Sequence, residues 1–208
     1  MFTIDDKRPI SITNTRSSEH PPSGSLHLIL GPMFSGKTSY LMTMYRRYQL
    51  AGMNVLLIKY KGDCRYSNTE HLLITHDQQS LTAYSLSKLG HLDISLDTYD
   101  VILIDEIQFY PDATFYCDKW ANQGKVVIVS GLSGDYQRKP FKVISELIPK
   151  VDNITHVKAI CLKSGRDAPF TMRTVDTKKK KLIGGQESYM AVHRSCFPHD
   201  KEENSNED

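Results

Sequence analysis

Residues 31–38 read GPMFSGKT, a G-x-x-x-x-G-K-[ST] spacing in which each residue type has its own task. Gly31 and Gly36 let backbone N–H groups close on phosphate oxygens, Lys37 reaches the outer phosphates, and the Thr38 hydroxyl can ligate Mg²⁺. Pro32, Met33, Phe34 and Ser35 complete this nucleotide-binding loop. A second group of interest is the acidic pair Asp105 and Glu106, which closes the apolar run VILID at 101–105. An acid ending a buried strand is where such a loop finds a partner for its divalent cation, so Asp105 joins Thr38 as a Mg²⁺ residue. Glu106 beside them can take a proton from a nucleophile. Activated water would make an ATPase, and an activated substrate hydroxyl a kinase.

These residues need elements to carry them. Residues 26–30 (LHLIL) have strand length and character, and after the loop Leu41, Met44, Tyr45 and Tyr48 fall at i, i+3, i+4 and i+7 of a helix. Gly52 suits the helix end, and 54–60 (NVLLIKY) reads as a second strand, so 26–60 is a βαβ unit with a right-handed crossover. The stretch 61–76 reads as a polar loop carrying Asp63, Arg65 and His76, and 81–98 as a short strand near Tyr84 with a weak helix. Continuous apolar runs at 101–105 and 125–130 are strands buried on both faces. Helices are expected at 112–123 and 141–148. Beyond residue 150 the helices cease, and 155–161, 169–175 and 181–192 read as short strands. Four lysines at 178–181 fit the solvated tip of a hairpin.

The expected fold class is therefore α/β: a P-loop NTPase-type parallel sheet flanked by helices, with a small β-rich, zinc-ribbon-like C-terminal lobe and a lid loop. The expected division is a disordered leader (1–25), a nucleotide-binding α/β domain (26–150), a small β-rich lobe (151–197) and a disordered acidic tail (198–208).

Composition narrows the function classes. Among 208 residues, 26 Lys and Arg face 24 Asp and Glu, a formal charge of only +2, which argues against a protein that coats nucleic acid. No apolar run is long enough to span a bilayer, and the first 25 residues lack the apolar core of a signal peptide. Four irregularly spaced cysteines do not make a disulfide framework, so they read as reduced thiols in a cytoplasmic compartment.

GPMFSGKT at 31–38, IDEIQFY at 104–110, QRKPF at 137–141 and IGG at 183–185 with Tyr189 together resemble the type II thymidine kinases, the cytosolic and bacterial class, in colinear order over about residues 25–197. The resemblance implies ATP-dependent phosphorylation of the 5′-hydroxyl of thymidine, and of deoxyuridine, with Glu106 as general base. It implies that Lys37 holds the transferring phosphates, that Thr38 and Asp105 serve Mg²⁺, and that Asp63, Arg65 and Gln108 belong to the nucleotide side. Met33, Phe109, Leu132, Tyr136 and Tyr189 match the positions that enclose the nucleoside. Thr171 and a lid through Ile183, Gly184 and Gly185 fold over its base.

Tyr136 departs from the family's phenylalanine, and Ser133-Gly134-Asp135 from its commoner acid-glycine pattern. Both bear on substrate preference. The family's structural Zn²⁺ site maps to Cys161, Ser164, His193 and Cys196. A serine hydroxyl is a poor zinc ligand, which leaves three donors. The family also implies a homo-oligomer, dimer or tetramer, and feedback inhibition by thymidine triphosphate. Two rival readings follow from the phosphate loop alone: an ATPase or nucleic-acid motor module that uses Glu106 on water, and a catalytically inert nucleotide-binding regulator. The motor has no further motif here, and the intact Lys37, Thr38, Asp105 and Glu106 oppose the regulator.

Overall fold

The computed structural model describes residues 23–63, 72–74, 79–175 and 184–198. In chain order its elements are β1 (Ser25–Gly31), α1 (Lys37–Leu50), β2 (Val55–Tyr60), β3 (Leu72–Ile74), β4 (Ser80–Thr82), β5 (Tyr84–Leu86), β6 (Val101–Ile104), α2 (Ala113–Asn122), β7 (Val126–Leu132), α3 (Lys142–Leu147), β8 (Asn153–His156), β9 (Ala159–Ile160), β10 (Asp167–Ala168), β11 (Phe170–Arg173) and β12 (Tyr189–Val192). Six strands form one sheet in the order β5-β2-β6-β7-β1-β8, and every pair in it is parallel.

The apolar runs are continuous because both faces of this sheet are covered. Alternate residues of the strands point to opposite faces. On one face Leu28, Ile58, Ile102, Ile104 and Val129 pack against Cys117 and Trp120 of α2 and Ile144 and Leu147 of α3. On the other, Ile29, Leu57, Leu103 and Ile128 meet Leu41 and Met42 of α1. This layering is the expected parallel α/β fold.

Sheet order then fixes the chemistry. β7 lies between β1 and β6, with Leu30 beside Gly131 and Ile104 beside Val129. The loop that leaves β1 and the acids that leave β6 therefore emerge at one edge, separated by the width of a single strand.

Three expectations about elements change. β8 pairs with β1, so the large sheet reaches residue 156 and passes the expected boundary at 150. Its NITH sequence is mostly exposed at the sheet edge, which removes the apolar signature of a sheet strand. The polar stretch 61–76 contains β3, which pairs antiparallel with β4. Of the strand expected over 181–192, the described part from 184 onward holds β12, preceded by a turn at 186–188. The small lobe is built of two antiparallel pairs, β9 with β10 and β11 with β12. Around them Ala159, Cys161, Ala168, Ala191 and Val192 form a compact core joined by Phe170, Met172 and Phe197. Most of the expected leader and tail, together with Cys64, Arg65, His76, the lysine run and Ile183, lies outside the described residues.

Candidate active site

The phosphate loop turns from β1 into α1 through backbone that only certain residues tolerate. A Cβ on Gly31 would lie 2.6 Å from both the Ser35 hydroxyl and the Val157 carbonyl, so the first position admits glycine alone. Gly36 caps α1 in the left-handed region at φ 78°, and the helix has neither a side-chain cap nor an acid in its first turn. A helix start of this kind suits an anion. Lys37 is only 8% exposed, and its Nζ donates to the Pro32 carbonyl at 2.6 Å, across the mouth of the loop. Ser35 donates to the same carbonyl at 2.8 Å.

Phe34 is also left-handed, at φ 63°, and its ring packs against the small-lobe core. Of the residues expected to bind nucleotide, Phe34 therefore offers backbone alone.

Across the strand-wide gap, Thr38 Oγ1 donates to Asp105 Oδ2 at 2.9 Å. The other carboxylate oxygen accepts the Ser130 hydroxyl and the Glu106 N–H, the latter at 3.1 Å. Ser130 was not among the expected residues. Its signal was the lone hydroxyl ending the apolar KVVIVS run, at the register position beside Asp105. A hydroxyl and a carboxylate meeting on oxygen are the donor set that Mg²⁺ takes.

Glu106 stands in left-handed backbone at φ 54°, a conformation that costs a non-glycine residue about 1–3 kcal/mol and so marks a position held by its surroundings. Gln108 Nε2 donates to its carboxylate at 2.5 Å, while Gln108 Oε1 accepts the Leu132 N–H at 3.2 Å. Gln108 thus ties the acid to the end of β7. The hydroxyl of Tyr110, buried among these groups, has no hydrogen-bond partner among the described residues. Burial, reinforced by the charges of Asp105 and Glu106, raises its pKa far above the usual phenol value, so it stays neutral.

The residues expected around the nucleoside come from three places. Met33 donates its N–H to Thr171 Oγ1 at 2.9 Å, which joins the loop to β11. Phe109 lies in a short 3₁₀ turn, Ile107–Phe109, with its ring 5.0 Å from that of Tyr60 at the end of β2, a neighbour the sequence reading passed over. Leu132 ends β7, and Tyr136 follows in the next loop. Tyr189 opens β12 and is nearly buried. Gly185 precedes it, donating to Glu187 Oε1 at 2.6 Å and accepting the N–H of Ser188 and of Tyr189, each at 3.1 Å. Gly184, next to it, is buried. Asp63 follows β2, with its N–H on the Tyr60 carbonyl at 3.0 Å.

The zinc positions are neighbours, with Cys161 and Cys196 in one packed cluster, but they do not make a metal-holding group. Among the described residues no group of three or more His, Cys, Asp or Glu side chains is placed to hold a metal ion. The Nδ1 of His193 is used to accept the Ser195 N–H at 3.1 Å. Cys161 is buried, and its thiol is drawn down to about 6, foremost by the His193 backbone N–H. The residues present do not fit a structural zinc site.

A helix start prepared for anions, facing an oxygen pair suited to a divalent cation across one strand, defines a nucleotide-processing enzyme of the P-loop class. Comparison with known proteins narrows that class. The family model for thymidine kinase matches residues 24–197. The thymidine kinase of rabbit fibroma virus (strain Kasza) is 42% identical over 174 residues, covering 84% of this chain and 96% of its own. Thymidine kinase 1 of Dictyostelium discoideum is 40% identical over 183 residues, 87% of this chain and 81% of its own. That of vaccinia virus (strain Western Reserve) is 41% identical over 174 residues, 84% and 97% respectively. The chain belongs to the thymidine kinase family and is an enzyme of that family. No helix among the described residues is long and apolar enough to cross a membrane.

Proposed function

We propose that this thymidine kinase transfers the γ-phosphoryl group of ATP to the 5′-hydroxyl of thymidine with Glu106 as general base, and that deoxyuridine enters the same pocket. The observation that carries the reading is the hydrogen bond from Thr38 to Asp105, which fixes the acid pair beside the phosphate loop. The N–H groups at the start of α1 and the Lys37 ammonium hold the phosphates. Thr38 and Asp105 would hold Mg²⁺, which would supply neutralisation of phosphate charge. Glu106, oriented by Gln108, accepts the proton as the nucleoside oxygen bonds to phosphorus and the bond to the ADP oxygen breaks. Met33, Phe109, Leu132, Tyr136 and Tyr189 enclose the nucleoside, and Thr171 and residues 183–185 close over the base, excluding water that would compete as acceptor.

Asp63, just after β2, serves the phosphates in this reading, and Arg65 shares that role on the family resemblance alone. Assembly into a dimer or tetramer and inhibition by thymidine triphosphate rest on family membership alone. A reducing, cytoplasmic setting is supported by the free thiols Cys117, Cys161 and Cys196. Zinc forms no part of the proposal.

The test is Glu106→Gln. ATP and thymidine binding should persist while phosphoryl transfer falls by roughly a hundredfold or more, the scale for removing a general base. Near-normal turnover would take Glu106 out of the mechanism. ATP consumption that proceeds without nucleoside would favour the water-activating alternative.

A further inference from the structure

One face of the β11–β12 pair looks toward the phosphate loop. Thr171 lies opposite Ala191 and Arg173 opposite Tyr189 in this antiparallel pair. Residues two apart along a strand share a face, so Thr171, Arg173, Tyr189 and Ala191 point the same way. The hydrogen bond that Thr171 Oγ1 accepts from the Met33 N–H shows which way that is.

Arg173 does two things on this face. Its guanidinium carbon lies 3.7 Å from the centre of the Tyr136 ring, a stacked cation–π contact, and 5.5 Å from the centre of the Tyr189 ring. One of its terminal nitrogens also donates to the Tyr189 hydroxyl at 3.1 Å. Tyr136 comes from the large domain and Tyr189 from the small lobe, so a single guanidinium fastens two aromatic walls that the chain delivers separately.

The loop around Tyr136 is already tied down at its base. Asp135 Oδ1 accepts the N–H groups of Gln137 and Lys139, both at 2.8 Å. What Arg173 adds is the spacing between Tyr136 and Tyr189. A planar guanidinium can stack through its face while donating through its edge, which the compact ammonium of lysine cannot reproduce.

We propose that Arg173 is a positioning residue for nucleoside binding, setting the separation of Tyr136 and Tyr189 before the nucleoside arrives. This rests on the assignment of those two tyrosines as nucleoside walls. With the walls held in advance, binding does not have to order them, so the residue acts on thymidine affinity and leaves the ATP side and the chemical step alone.

The experiment compares Arg173→Met, Arg173→Lys and Tyr136→Ala in the full chain, measuring KM and kcat for thymidine and ATP, the thymidine Kd and the melting temperature. Arg173→Met is expected to raise thymidine KM and Kd about tenfold, with ATP KM and kcat within about twofold. Arg173→Lys, which keeps the charge but loses the planar stack, should fall between it and the parent enzyme. A role in folding alone would lower the melting temperature and the active fraction without moving thymidine KM, and that result overturns the proposal.

If Tyr136→Ala raises thymidine KM while Arg173→Met does not, the positioning role fails and the pocket assignment stands. If neither substitution moves it, the assignment of the walls fails and the proposal falls with it. Should Arg173→Met not fold, Arg173→Lys decides alone, and a thymidine KM equal to that of the parent enzyme overturns the proposal.

Discussion

The two oxygens of Asp105 are engaged from different elements. Oδ2 accepts from Thr38 at the start of α1, and Oδ1 accepts from Ser130 on β7 and from the Glu106 N–H. The residue is only 2% exposed, and a buried carboxylate is tolerable only when donors surround it. Ser130→Ala removes one of the three. A hydrogen bond to a charged group contributes about 1.5–3 kcal/mol, and in a chain of this size each kcal/mol moves the melting temperature by about 2–4 °C. The variant should melt roughly 3–12 °C lower by differential scanning fluorimetry. Because Asp105 would also lose its fixed rotamer, half-maximal rate should require several-fold more Mg²⁺. An unchanged Mg²⁺ titration would confine Ser130 to stability.

At the scale of elements, the sequence is most legible where burial is symmetrical. β1, β6 and β7 are predominantly apolar because helices cover both sides of the sheet, and the acid and glycine signals sit at or near their ends. β8 was legible only in part, as the start of the expected 155–161 strand, because an edge strand with mostly exposed side chains shows little pattern, and β3 was hidden because it is three residues long inside a polar stretch. The loop motif gave the backbone of residues 31–38 but not the direction of the Phe34 ring, which is set by packing against the small lobe. Arg173 was equally illegible, since its meaning depends on the register that places Tyr189 opposite it.

The turn before β12 shows what such tertiary context can do. Glu187 accepts the Gly185 N–H, and this bond holds its carboxyl pKa below the usual range. A depressed carboxyl pKa contributes stability that is complete above the ordinary value and is lost as pH falls through the folded value. Glu187→Gln should therefore loosen the lid turn at neutral pH, raising thymidine KM roughly two- to threefold and lowering the melting temperature slightly, on the scale of one hydrogen bond. The melting difference from the parent enzyme should narrow as pH drops below about 4.3, where an unfolded glutamate protonates. A difference that stays constant down to acid pH would mean that charge at Glu187 does not matter.

For the molecule as a whole, the separation into a nucleotide-binding sheet and a small lobe is less complete than the chain order implies. The phosphate loop belongs to the first, yet its Met33 N–H is bonded to Thr171 of the second and its Phe34 ring is packed into the lobe's core. The loop after β7 is joined to the lobe in turn, through Arg173 on Tyr136 and through Arg138, whose guanidinium lies 4.5 Å from the Phe197 ring centre. The phosphate loop's own bond to the lobe, through Met33, couples the two halves of the site, so both should respond when that bond is cut, whereas the Arg173 contact bears on the nucleoside half.

Thr171→Val makes that cut with almost no change of shape. It removes the acceptor for the Met33 N–H and leaves a buried donor unpaired, at a cost of about 1–3 kcal/mol. The expected result is a melting temperature lower by on the order of 5 °C, together with a several-fold rise in KM for both ATP and thymidine. Initial rates with each substrate varied in turn, beside a thermal melt, measure all three. A rise confined to thymidine would assign the bond to the lid alone and leave the loop independent of the lobe. A rise shared by the two substrates would make the junction between loop and lobe part of the machinery that binds ATP.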